Sequence, residues 1–203
     1  MQLVVKRLLL CLPSLLVLAA AVACSSKPPV SATAKDCGVG TVRLISDSGI
    51  GALRVGAAIV GIAERCHVLA DTTWSEEEAK PGRALLIQLG DDTITAVIDR
   101  GRIWRLELNA AGWRTSDSLG VGSTVARLTR LPGARALSGE SRYYLRVPGH
   151  CGLSFRLPVI EWPDSISYPE VLEGAALHQL LADTLRAEAV LVVGCHVMQH
   201  DTT

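Results

Sequence analysis

The chain has 203 residues, 20 of them basic and 20 acidic, and 49% of them are hydrophobic with a single phenylalanine, Phe155. A formal charge of zero leaves no concentrated basic face, which phosphate binding needs, so nucleic acid is excluded as a partner. The apolar content suffices for one ordinary aliphatic core or two small ones.

Lys6 and Arg7 precede an apolar run from Leu8 to Val22, and Ala21-Val22-Ala23 stands before Cys24-Ser25-Ser26-Lys27. A basic start, a short apolar stretch and small residues before a cleavage point make a secretory signal. Pro13 interrupts the run, which is shorter than the roughly 20 residues a bilayer span needs, so it reads as a removed segment. The stretch resembles the lipobox of bacterial lipoproteins, with Ala21 where leucine is usual. That resemblance implies cleavage after residue 23 and lipidation of Cys24, and more than one acyl chain gives a stable membrane anchor. Ser25 after the lipidated cysteine points to the outer membrane, facing the periplasm. The mature chain then carries 18 basic and 20 acidic residues.

Residues 24–36 are small and polar with two prolines, as expected of a flexible tether, and a single domain is expected over 37–203. Residues 39–45 read as a strand, Ser46 to Leu53 as a turn, and Val55 to Cys66 as a helix with Ile59, Ile62 and Ala63 on one side. Glu76, Glu77, Glu78 and Lys80-Pro81-Gly82 read as a solvated loop. Strands follow at 84–89, 93–99 and 102–108, separated by the hairpin-turn residues Gly90-Asp91-Asp92 and Arg100-Gly101. In the third, Trp104, Leu106 and Leu108 alternate with Arg105 and Glu107, which predicts one buried and one wet face. Beyond a second short helix, strands are expected at 143–147, 151–157 and 188–197, with a helix over Glu170 to Leu181. The whole reads as an α+β fold, an antiparallel β-sheet packed with short helices.

The second half restarts the first. Ser46-Asp47-Ser48 leads to Leu53-Arg54-Val55-Gly56-Ala57-Ala58, and Ser116-Asp117-Ser118 leads to Leu119-Gly120-Val121-Gly122-Ser123-Thr124. This suggests two related halves, about 37–109 and 110–203. The pattern resembles the unit of BamE-type outer-membrane lipoproteins and, in tandem, of β-lactamase-inhibitor-protein-like repeats. Arg114 to Thr124 also resembles a segment of a group of uncharacterised lipoproteins. The resemblance implies a binding or assembly module with an envelope protein as partner.

Cys37, Cys66, Cys151 and Cys195 remain in the domain, and an even set of separated cysteines in an exported chain predicts disulfides. Strand parity turns Cys151 and Cys195 toward the core, favouring a bridge between them and another between Cys37 and Cys66. A loop as long as the one Cys37 and Cys66 would close stabilises the fold by roughly 3 kcal/mol in the chain-entropy model. Cys66-His67, His150-Cys151 and Cys195-His196, with His200 beyond, are the alternative, a zinc or copper site. Neighbours on a strand face opposite ways, which counts against it. Gly120 to Thr124 lacks the lysine of a P-loop and reads as a turn capped by Ser123 or Thr124. The two Ser-Asp-Ser runs read as turns. Ser154 does not lie in a Gly-x-Ser-x-Gly elbow, and no HExxH or CxxC occurs. The sequence therefore carries no enzyme signature and implies no cofactor. Loop tryptophans Trp74, Trp113 and Trp162 are candidates for an interaction surface. The expected function is a non-enzymatic, membrane-anchored envelope lipoprotein that binds another protein.

Overall fold

A computed structural model describes residue 37 and residues 42–75, 81–139, 141–161 and 169–195. Cys24, the signal segment, the tether, Glu76 to Glu78, Trp162, His196 and His200 lie outside the described residues. Strands β1 (Ile45–Ser46), β2 (Gly49–Ile50) and β3 (Leu53–Arg54) form a small sheet. After α1 (Ile62–Arg65) come β4 (His67–Trp74), β5 (Gly82–Leu89), β6 (Asp92–Asp99) and β7 (Arg102–Leu108). The chain continues through α2 (Val125–Leu128), β8 (Arg135–Gly139), β9 (Arg142–Arg146), β10 (Leu153–Arg156), β11 (Val171–Glu173), α3 (Gly174–Leu180) and β12 (Ala189–Val192). The main sheet has nine strands in the order β11-β8-β9-β10-β12-β7-β6-β5-β4, each pair antiparallel.

This corrects the α+β expectation: the fold is mostly antiparallel sheet, and its described helices have four, four and seven residues. The reason lies in the glycines. Gly56 and Gly61 sit at φ of 81° and 76°, which breaks the helix expected from Val55 and leaves only one turn, burying Ile62. Likewise Gly174 at φ of 52° opens α3, and residues 171–173, expected to be helical, pair with β8 instead. The hairpins form as expected, with Arg100 and Gly101 both at positive φ in the two-residue link of β6 and β7. Strands β4 and β8 were not expected: β4 is largely exposed and β8 is built from Arg, Ala, Leu, Ser and Gly.

The two halves of the main sheet meet at its centre. Backbone Gly56 N–H donates to Ile103 O at 2.7 Å, and Ile103 N–H donates back to Ala57 O at 2.9 Å. Sixty-odd residues on, Gly122 N–H donates to Ala187 O at 2.7 Å and Ala187 N–H to Ser123 O at 2.9 Å. The side chains repeat too: Arg102 Nη1 donates to Gly56 O at 2.7 Å, and Arg186 Nη1 to Gly122 O at 3.0 Å. With Ile103 and Ala187 thus equivalent, β7 corresponds to β12. The two pair Leu106 with Val192, Glu107 with Leu191 and Leu108 with Val190, which is the register of a local two-fold axis through Glu107 and Leu191.

One face of the sheet supplies Leu85, Ile87, Ile94, Ile103, Leu106, Leu108, Leu145, Phe155, Val190 and Val192 to a single core. Trp113 lies on a loop as expected, but it is fully buried in that core and donates its Nε1–H to Asp92 at 2.7 Å, which removes it as a surface candidate. The parity read for β7 fails at its start. A bulge between Val97 and Ile98 sets Ile103 inward and leaves Trp104 37% exposed, while Arg105 and Glu107 are buried.

Candidate functional site

The most organised polar cluster is built by the two Ser-Asp-Ser turns. Residues 43–45 run parallel to residues 113–114: Ile45 N–H donates to Arg114 O at 2.8 Å and Arg114 N–H to Arg43 O at 3.1 Å. This side-by-side run delivers Asp47 and Asp117 to the same place, the turn between β9 and β10 that carries His150. His150 Nε2 lies 3.0 and 3.1 Å from the two Asp117 oxygens, and its Nδ1 lies 3.7 Å from Asp47 Oδ1. The ring is 13% exposed.

Each carboxylate is further tied down. Thr115 Oγ1–H donates to Asp117, and the same oxygen accepts Leu119 N–H at 2.8 Å. Gly152 N–H donates to Asp47 Oδ1 at 3.2 Å. Partial burial pushes the Asp117 carboxyl up, but donors from Thr115 and His150, the charge of His150 and its own backbone N–H outweigh this and hold it below its ordinary value. Thr124 caps α2 by accepting Arg127 N–H, whereas Ser123 accepts Gly120 N–H inside the preceding turn.

Beside His150 runs the disulfide between Cys151 and Cys195, with Cα atoms 4.9 Å apart; the other joins Cys37 and Cys66. The strand-parity argument for Cys151 is corrected. Strand β10 begins at Leu153 and β12 ends at Val192, so the bridge joins two positions outside the strands, and Cys151 is exposed rather than core-facing. Cys37 and Cys66, by contrast, are each 4% exposed. The Asp47 carboxylate and the sulfurs of Cys151 and Cys195 all lie within 4.8 Å of one another. Among the described residues they form the one group of potential ligands found at this spacing. Asp47 and Asp117 were not foreseen as partners of His150, although the repeated Ser-Asp-Ser was the available signal.

A second cluster lies on the other face of the main sheet. Arg156 on β10 reaches across β12 to Glu107 on β7 at 2.5 Å, a path left open by Ala189, the cross-strand partner of Arg156. Nearby, the Arg105 guanidinium lies 4.4 Å from the Trp74 ring centre and 5.4 Å from that of Trp104. A cleft of about 540 Å³ adjoins the Cys37–Cys66 bridge between Leu53, Ile62, Arg54 and Arg65. Both arginines donate to backbone carbonyls, Arg54 to Gly51 and Leu53 and Arg65 to Gly61.

No protein-family model and no curated protein matches the sequence. Among solved structures, the chain is similar to the crystal structure of the uncharacterised protein YfeY from Escherichia coli. The TM-score is 0.52 at 15% identity, over 73% of this chain and 98% of that one. Identity this low shows a shared fold alone.

Proposed function

We propose that this chain is a non-enzymatic lipoprotein of the bacterial envelope, anchored through Cys24, that binds another protein through the β4 end of its main sheet. The observation that carries the reading is the stack of Trp74, Arg105 and Trp104 beside β4, the edge strand of the sheet among the described residues. Tryptophan and arginine dominate binding hot spots, and an edge strand offers unpaired backbone groups to an incoming segment. Eight-residue β4 is exposed along most of its length, with Leu69 48% exposed. The two disulfides and the lipobox-like start support an oxidising, membrane-attached setting.

The test uses the full chain in a bacterial envelope, with a photo-crosslinking side chain at position 104 and, as control, at Val171 on the opposite sheet edge. A discrete adduct from position 104 alone, weakened by Trp74→Ala, is expected. Equal labelling from both positions, or none from 104, rejects the surface. Release from the membrane fraction on Cys24→Ser checks the anchor, and a variant that stays bound rejects it.

A further inference from the structure

We propose that the Cys151–Cys195 disulfide masks a site for a soft divalent cation, held after reduction by both thiolates and the Asp47 carboxylate, with water as the fourth ligand. The site is separate from the β4 surface and does not rest on the binding role assigned there.

Three observations converge on it. First, the ligand atoms of Asp47, Cys151 and Cys195 are already within 4.8 Å of one another while the sulfurs are bonded. A tetrahedral zinc with Zn–S of about 2.3 Å and Zn–O of about 2.1 Å needs ligand atoms about 3.6–3.8 Å apart, so the two sulfurs separate to nearly twice a bonded S–S distance once the bond is cut. Second, His150 stands behind that carboxylate. Its Nδ1 lies 3.7 Å from Asp47 Oδ1, while its Nε2 lies 3.0 and 3.1 Å from the two Asp117 oxygens. Partners behind a ligating carboxylate hold it in place in metal sites. Third, Asp47 is already fixed beside the bridge, because Gly152 N–H, next to Cys151, donates to its Oδ1 at 3.2 Å.

Access separates this bridge from the other. Cys151 is exposed, whereas Cys37 and Cys66 are buried, so a reductant reaches Cys151–Cys195 first. A dithiol supplies two electrons and two protons, becomes a disulfide itself and leaves two thiols on the protein. The cation then forms two metal–sulfur bonds and displaces both protons to solvent. Thiolates select zinc and cadmium over harder divalent ions. With two thiolates and a carboxylate in one place, mutual repulsion is relieved by the cation, so binding and reduction favour each other.

The test uses the full chain in detergent, treated with a phosphine that cleaves disulfides without adding a competing thiol, and cadmium(II) alone as probe. Mass spectrometry after alkylation identifies the opened bridge. The expected result is opening of Cys151–Cys195 with Cys37–Cys66 intact, one cadmium per chain, and an ultraviolet thiolate-to-cadmium charge-transfer band. Asp47→Asn keeps an oxygen that accepts Gly152 N–H while removing the charge, and is expected to weaken cadmium binding about tenfold or more. Cys37→Ala with Cys66→Ala leaves the band unchanged. Failure of the phosphine to open Cys151–Cys195 in the native chain overturns the proposal. So does cadmium uptake no greater than that of a Cys151→Ser, Cys195→Ser chain, or equal affinity in Asp47→Asn with unchanged circular dichroism.

Discussion

Asp117 illustrates how much a half-exposed side chain does when three partners converge on it. Its folded value lies below the ordinary 3.8 of a free aspartate, so it contributes stability that is present above the unfolded value and is lost as pH falls through the folded one. Solvent screening keeps that contribution small. Asp117→Asn is expected to cost about 0.5–1 kcal/mol at neutral pH and to flatten the fall in stability below about pH 4. Urea midpoints of both chains at neutral and acid pH check this, and parallel acid slopes would refute it. Gly152 is held to glycine by crowding: a Cβ there would lie 1.9 Å from Asp47 O. Gly152→Ala must push the 46–48 turn away and is expected to destabilise the fold by about 3 kcal/mol or more, read as a lowered melting temperature. A neutral result would mean that the turn yields freely and that Asp47 is not fixed. The His150-Cys151 pair and both Ser-Asp-Ser runs were legible in the sequence. Their convergence was not, because it depends on residues 43–45 running beside 113–114, a pairing across some seventy positions that no local pattern encodes.

Among the elements, the two glycine turns show what a repeated short pattern means physically. Gly56 and Gly122 both adopt left-handed φ, at 81° and 85°, and a Cβ on either meets nothing within 4 Å. The strain of a non-glycine residue there is therefore conformational, not steric. Gly56→Ala and Gly122→Ala are each expected to cost about 1–2 kcal/mol, and to cost the same within error. Chemical denaturation of the two single variants decides it, since a large difference would show that the turns are not held alike. The meander of β5, β6 and β7 was legible because alternation and turn residues are local signals. The helices were over-read for an equally local reason. Alanine, valine and isoleucine around Gly56 fit a helical stripe, but backbone N–H groups of 56 and 59 bond instead to Ile103 O in β7 and to Gly101 O just before it. In β4 the sheet edge leaves mostly exposed residues, so the alternation that marks a strand is weak.

Across the whole molecule, the C-terminal strand closes the sheet. Strands β4 to β7 assemble in chain order and β8 to β10 likewise, yet they become one sheet only when β12 enters between β10 and β7. Its residues 189–192 are all buried, with Val190 and Val192 in the shared core and Leu191 facing Glu107 across the seam. The Cys151–Cys195 bridge spans 44 positions and ties the start of β10 to the end of β12, an entropic gain of about 4 kcal/mol in the chain-entropy model. The strand and the bridge thus act on the same seam. If the two halves fold as one cooperative unit, a charge in that seam should loosen both. Val190→Asp puts a carboxylate at a position with no solvent exposure and is expected to cost on the order of 3–5 kcal/mol. Hydrogen exchange resolved by segment then distinguishes the cases. Protection should fall together in β6 and in β9, on opposite sides of the seam. Loss confined to β8, β9 and β10, with β5 to β7 still protected, would show that the first half is stable alone and that β12 is an attachment to it instead of the element that unites the sheet.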